Sequence, residues 1–174
     1  MPKSWRCRRN TQRIGLQGRP DDFIDEPSMI RKSLSRARRP LTKAQLLPLP
    51  VDQVRALSLK HHLALAMLRD GRGDIEAIIT LLNVLYLAFF LRDSAPVALD
   101  GCRRAEVALD DCIRRAERGE PWCLADDERQ ALEQLVVMHD AQLAAAPAHR
   151  YLDAWDQVQR VMASGGRSPI PAAA

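Results

Sequence analysis

Residues 51–92 read VDQVRALSLKHHLALAMLRDGRGDIEAIITLLNVLYLAFFLR, and this stretch decides the fold. Apolar residues recur in it every three or four positions, which is the period of an α-helix. The Gly-Arg-Gly sequence at 71–73 interrupts the pattern, and two helices joined by so short a turn lie side by side and antiparallel. The stretch therefore predicts an αα-hairpin with helices over about 52–70 and 75–92.

Residues at the ends of these helices carry further local signals. Asp52 and Asp74 stand where the two helices begin, and we expect both to act as N-caps, because a carboxylate accepts hydrogen bonds from the free amides of a first turn. Gly71 and Gly73 are expected to supply the positive φ that only glycine adopts at low cost. The hairpin is thus specified locally as well as by its apolar pattern.

The second helix is apolar on nearly every side. From residue 75 to residue 91 the polar residues are Glu76, Thr80 and Asn83. Such a helix is central to a bundle or shared with another subunit, so we expect it to be covered by the chain's other helices or by a second copy in a homodimer. A membrane span is not expected, because the run is shorter than the roughly 20 residues that cross a bilayer.

Asn83 is a candidate specificity residue for the core or for the oligomer. Its amide must find hydrogen-bond partners inside an apolar helix, since a buried polar group without one costs about 1 to 3 kcal/mol. Residues of this kind can fix the register of packed helices or the number of subunits.

Three more helices follow the hairpin. Period-3.6 patterns predict them over about 97–118, 126–145 and 147–162. The 8 Gly among 174 residues and the 5% aromatic content argue against the turn-rich composition of β-sandwiches and barrels. We therefore predict an all-α fold, a helical bundle of about five helices built on a central αα-hairpin over residues 51–164, followed by a disordered tail over 165–174.

Positive charge is concentrated at the N-terminus. Residues 1–47 hold 12 Lys and Arg against 4 Asp and Glu, whereas residues 48–174 hold 14 against 18. Pro and Gly interrupt every periodic segment before residue 50, which predicts a flexible, largely disordered basic arm over 1–50. Basic clusters release counterions when they neutralise phosphates, so the candidate nucleic-acid-binding residues are Arg6, Arg8, Arg9, Arg13, Lys32, Arg36, Arg38 and Arg39. A solubilising tail is the alternative interpretation.

The cysteines and histidines complete no known chemical motif. The four Cys include no C-x-x-C pair and no zinc-ligand spacing is present, so no metal and no cofactor is expected. His61 and His62 lie about 100° apart on a helix and so cannot bind one ion together; His61 is expected to be half-buried with a local partner. For His139, core packing is favoured over pairing with Cys112 or Cys123, which would need an orienting group and an oxyanion site. We predict that the protein is not an enzyme.

A set of motifs within Leu47–Arg92 has a counterpart in other proteins. A helix with Lys60 and His61 is followed by the Gly-Arg-Gly turn and by an Asp-led apolar helix that contains Asn83. This arrangement resembles short helical proteins of proteobacterial phages and integrative elements, which are often labelled Fis-family transcriptional regulators. The resemblance covers about a quarter of the chain and implies an origin in a mobile genetic element.

These observations predict a non-enzymatic accessory or regulatory protein of a bacterial mobile element that binds nucleic acid nonspecifically through its basic arm. The alternative is a protein-interaction module, an inhibitor or adaptor of a host complex, because an acidic helical surface over residues 48–174 suits a basic target. The chain begins without the apolar h-region of a signal peptide, which favours a cytoplasmic location.

Overall fold

Six α-helices make up the part of the chain that the computed structural model describes, residues 41–92, 96–165 and 167–172. No strand occurs in these residues, and one isolated antiparallel bridge joins Pro48 to Pro147. The prediction of an all-α bundle is confirmed. The helices are α1 (Lys43–Leu46), α2 (Val51–Arg69), α3 (Ile75–Leu91), α4 (Pro96–Glu117), α5 (Asp126–Ala145) and α6 (Ala148–Ala163).

Helix α3 lies at the centre of the bundle. It packs against α2, α4, α5 and α6, and side chains on all its sides are buried, among them Leu81, Leu85 and Leu87. The chain's own helices therefore cover its apolar surface, which was one of the two predicted alternatives, and a second copy is not needed for this purpose. Within the described residues, no helix is both long enough and apolar enough to cross a membrane.

The five long helices begin and end within one residue of their predicted bounds, but the two predicted caps differ. Asp74 caps α3 as predicted, since its carboxylate accepts a 2.8 Å hydrogen bond from the amide of Ala77. The prediction for Asp52 is wrong, because α2 begins at Val51 with Pro50 in the N-cap position. The fixed φ of proline starts the helix early, and Asp52 lies in the first turn, where its charge suits the helix dipole.

The α2–α3 turn has the hydrogen bonds of a Schellman motif. Gly71 has the predicted positive φ, 67°, and the amides of Gly71 and Arg72 donate to carbonyl groups in the last turn of α2 at 3.2 and 2.9 Å. Gly73 has a different role, because its φ is not in the left-handed region. A Cβ at this position would press against the Leu68 side chain and lie 3.1 Å from the carbonyl oxygen of Trp122.

Residues 41–50 belong to the bundle, so the folded unit begins before the predicted boundary. Gln45 takes part in a capping box on α1, and its carbonyl oxygen accepts a 2.9 Å hydrogen bond from Nδ1 of His149 in α6. Leu49 is buried. The compact unit starts at residue 41, and the rest of the predicted arm, residues 1–40, lies outside the described residues.

The end of the chain differs from the disordered tail predicted for residues 165–174. Ile170 is buried in the core cluster, and the guanidinium of Arg103 in α4 donates to the carbonyl oxygens of Pro171 and Ala172 at 3.0 and 3.1 Å. One apolar residue between two prolines has no periodicity, so pattern analysis could not detect this contact. The described part of the tail is attached to α4.

Substitution of single glycines tests the geometry of the hairpin. Gly73→Ala is expected to lower the free energy of unfolding by about 1 to 3 kcal/mol, because the new methyl group overpacks against buried Leu68 and a backbone carbonyl. Gly71→Ala should cost about 1 kcal/mol through its positive φ. The control is Gly101→Ala in α4, where a Cβ meets nothing within 4 Å and stability should rise by about 0.5 to 1 kcal/mol.

Urea unfolding followed by circular dichroism measures all three variants. A Gly73→Ala protein as stable as the wild type would show that the chain around Trp122 does not approach the turn as closely as the structure indicates.

Candidate functional site

The predicted site residues fall in two different parts of the chain. The eight basic residues predicted to contact nucleic acid all lie within residues 1–40, outside the described residues. Asn83 lies on α3 and is half-buried, and its role in helix register or oligomeric state stays a prediction. The geometry that follows therefore concerns the bundle.

Arginines of the bundle are extensively paired with acidic side chains. Seven of them have guanidinium nitrogens within 4.0 Å of a carboxylate, and most of these pairs are on the surface, where each contributes less than about 1 kcal/mol. The pairs balance charge locally, which reduces the net positive charge that these arginines present to an external anion. They are Arg69–Asp70, Arg72–Asp70, Arg103–Asp100, Arg114–Asp111, Arg115–Glu128, Arg118–Glu120 and Arg129 with Asp126 and Glu133.

A cluster of polar side chains lies inside the α2–α5 interface. Helix α2 contributes His61 and His62, and α5 contributes His139, Asp140 and Gln142; we call these five residues the histidine cluster. The rings of His61 and His139 have centroids 5.4 Å apart and are tilted by 41°. The exposed fractions of these two residues are 6% and 0%, so two imidazole rings face one another in the core.

Some of the polar atoms in the histidine cluster form hydrogen bonds, and others do not. His62 Nε2 donates to Oδ2 of Asp140 at 2.8 Å on the solvent side. His139 Nδ1 donates to Oε1 of Gln142 at 3.3 Å, and Nε2 of Gln142 donates to the carbonyl oxygen of Ala88 in α3 at 3.1 Å. Within the described residues, three buried atoms of the cluster have no hydrogen-bond partner: His61 Nδ1, His139 Nε2 and Asp140 Oδ1.

Burial keeps both buried rings of the cluster neutral. It lowers the pKa of His61 from 6.5 to about 4, with the neighbouring His139 acting in the same direction and Asp140 opposing it. Burial also lowers the pKa of His139, although its hydrogen bond to Gln142 acts in the opposite direction. At neutral pH the two rings are therefore uncharged, because burial in an apolar interface disfavours the charged form of an imidazole.

The predictions for these histidines had mixed outcomes. Core packing of His139 is confirmed, but His61 is buried rather than half-buried, and its aromatic neighbour comes from α5 rather than from its own helix. The structure does not pair His139 with cysteine. Cys112 lies near Glu128 at the start of α5, and Glu128 is 11 residues, or roughly 16 Å along the helix, from His139. His61 and His139 each lie on the buried side of their helix, but the sequence pattern of one helix does not reveal which neighbouring helix that side contacts.

A second polar network fastens the α4–α5 connection. The side chain of Arg115 in α4 is largely buried, and its Nη1 donates to Oε1 of Glu128 at 2.6 Å. The same guanidinium donates to the carbonyl oxygen of Cys123 at 2.9 Å. Glu128 also accepts a 2.8 Å hydrogen bond from the amide of Ala125, just before α5. One ion pair thus holds both the connection and the start of the next helix.

An open groove of about 330 Å³ lies between α4 and α5. Val107, Ala108 and Ala131 supply apolar lining, while Arg104 and Asp127 contribute charges of opposite sign. Such a mixed lining does not indicate one class of ligand. In the described residues, no group of three or more His, Cys, Asp or Glu is arranged to hold a metal ion.

The fold and these sites define a small all-α bundle whose helices are joined by buried polar networks. No protein-family model matches the chain, no curated protein matches it, and no solved structure matches its fold. The resemblance to mobile-element proteins therefore depends on its sequence motifs alone.

Removal of the Arg115 guanidinium tests the second network. Arg115→Met is expected to lower the free energy of unfolding by about 2 to 4 kcal/mol, because it leaves the buried carboxylate of Glu128 without its partner. The matched control is Arg118→Met one turn away, whose exposed pair with Glu120 should contribute less than about 1 kcal/mol. Thermal unfolding of both variants gives the comparison, and equal losses would contradict the assigned role of Arg115.

Proposed function

We propose that the protein is a non-enzymatic accessory or regulatory protein of a bacterial mobile element, and that it binds nucleic acid through the basic residues of its segment 1–40. The observation that supports the proposal most directly is the division of charge. Residues 1–40 hold 11 Lys and Arg against 4 Asp and Glu, whereas residues 41–174 hold 15 against 18. We place this activity in the cytoplasm.

The pairing of arginines in the bundle strengthens this assignment. Phosphate binding requires cations that can exchange their counterions for the nucleic-acid backbone. Seven bundle arginines already have carboxylate neighbours, and residues 41–174 as a whole hold more acidic than basic residues. Segment 1–40 has too few acidic residues to neutralise its cations in the same way. In this proposal, residues 1–40 supply the binding energy for nucleic acid, and the bundle serves as the folded scaffold.

Salt dependence of binding is the first test. If about eight side chains contact phosphates, affinity for a random-sequence duplex should fall by about 10³ to 10⁵ between 50 and 200 mM salt, with a slope of roughly −0.9 per contact in a double-logarithmic plot. Fluorescence anisotropy measures this slope. A flat plot would contradict electrostatic binding by the segment.

Matched substitutions locate the contacts. Changing Arg6, Arg8, Arg9 and Arg13 together to Gln should make the slope less steep by about 3 to 4, because four counterion-releasing contacts are removed. The control changes four exposed cations of the bundle to Gln and should leave the slope unaltered; these are Arg55, Lys60, Arg150 and Arg160. Equal effects of the two sets would assign the binding to the bundle.

Deletion of residues 1–40 completes this test. The truncated protein should lose binding but keep the melting temperature of the full chain, because the compact unit starts at residue 41. A deletion that extended to residue 50 would remove the capping box of α1 and buried Leu49, and it would confuse loss of binding with loss of stability.

The alternative proposal is an inhibitor or adaptor that binds a host protein. It is favoured by two leucines one turn apart on α2, Leu59 and Leu63, whose exposed fractions are 71% and 58%. Exposed apolar pairs of this size are used in helix-to-groove recognition. Copurification from host cells after nuclease treatment separates the two functions. The alternative is supported by a partner protein that no longer copurifies with the Leu59→Ser and Leu63→Ser variant but still copurifies after deletion of residues 1–40.

A further inference from the structure

The histidine cluster occupies a position at which a change of charge has a mechanical consequence. The main neighbours of α2 are α3 and α5, whereas α5 also packs extensively against α4. His61 and His139 face one another across the α2–α5 interface. If this interface fails, α2 keeps its hairpin contact with α3, and the α3–α4–α5 contacts are not directly affected.

We propose that the contact between His61 and His139 makes the α2–α5 interface an acid-sensitive latch, which opens on mild acidification and releases α2 from α5 while the rest of the bundle stays folded. A proton added to either ring places a positive charge beside the other ring in a buried interface. His61 Nδ1 and His139 Nε2 have no hydrogen-bond partner among the described residues. Separation of the helices hydrates the ring and removes the cost.

The charged groups around the two rings do not cancel this effect. On α2 the neighbours are Lys60 and His62, and both disfavour a charge on His61. On α5 the carboxylate of Asp140 favours it: one oxygen is bound to His62 and the other has no partner among the described residues. Burial is nevertheless the larger effect on the pKa of both rings. Helix α3 carries one charged residue, Glu76, in its exposed first turn. The groups that shift the pKa of either ring include none from α3 or from α4.

The direction of the pH effect follows from proton binding in the two states. A ring whose pKa is about 4 in the closed state and 6.5 when hydrated binds more protons in the open state between these values. The closed interface is therefore most stable above about pH 6.5, and it loses stability as the pH falls from 6.5 toward 4. For His61 alone, the change from pH 7 to pH 5 favours opening by about twentyfold.

Hydrogen exchange measured by mass spectrometry on the full-length protein tests the latch. After correction for intrinsic exchange rates, amides of α2 should open about twentyfold more often at pH 5 than at pH 7, whereas amides of α4 should change little. Unchanged α2 exchange would overturn the proposal. Parallel acceleration in α2 and α4 would also overturn it, because that result means global unfolding.

Variants assign the effect to the two rings. The double substitution His61→Leu and His139→Leu removes both titrating groups from an apolar interface and should abolish the pH dependence of α2 exchange. The control is His149→Gln, at a histidine that contacts α1 instead, and it should preserve the pH dependence. Persistence of the effect in the double variant would contradict the assignment.

A second measurement keeps the proposal testable if the double variant does not fold. NMR titration of the wild-type imidazole carbons gives the pKa of each ring directly. Two histidines should resist protonation until well below pH 6.5, and their titration should coincide with the opening of α2. Ordinary titration of all four histidines near pH 6.5 in the closed protein would overturn the latch.

Discussion

The apolar surface of α3 dictates how the other helices of the bundle are arranged. A helix with buried side chains on every side cannot be covered by one neighbour, and here α2, α4, α5 and α6 surround it. The short turn at residues 71–73 fixes α2 as the first of these neighbours, and Gly73 permits the close approach of the α4–α5 connection. The burial of Ile170 extends the same core to the end of the described chain.

Polar side chains are buried at two helix interfaces, α4–α5 and α2–α5, and they have different roles there. Arg115 and Glu128 form a paired network with satisfied hydrogen bonds, so they hold the α4–α5 connection in one arrangement. His61 and His139 are instead incompletely satisfied and neutral. The first network therefore fixes a geometry, whereas the second is the one that we propose responds to protons. The bundle is therefore not equally stable at all its interfaces.

Local sequence patterns predicted the long helices because period-3.6 burial and strong breakers act within a few residues. The same patterns could not predict contacts between distant segments. The contact between Gln45 and His149, the burial of Ile170 and the facing of His61 and His139 all depend on tertiary packing, and the buried partner of Arg115 is 13 residues away in the sequence. The capping box of Thr42 and Gln45 is local instead, and its T-x-x-Q spacing is a signal that could have been found in the sequence. The predicted nucleic-acid contacts were inferred from charge alone, and they lie in residues 1–40, outside the described residues.

Native-state hydrogen exchange of α3, followed over a range of protein concentrations at neutral pH, tests whether a single chain covers this helix by itself. If the chain's own helices supply all the cover, the amides of residues 81–88 should exchange most slowly of the described residues, and only through global unfolding. Their protection should not change on dilution. Protection that falls as the protein is diluted would contradict the account, because it would show that a second copy completes the core.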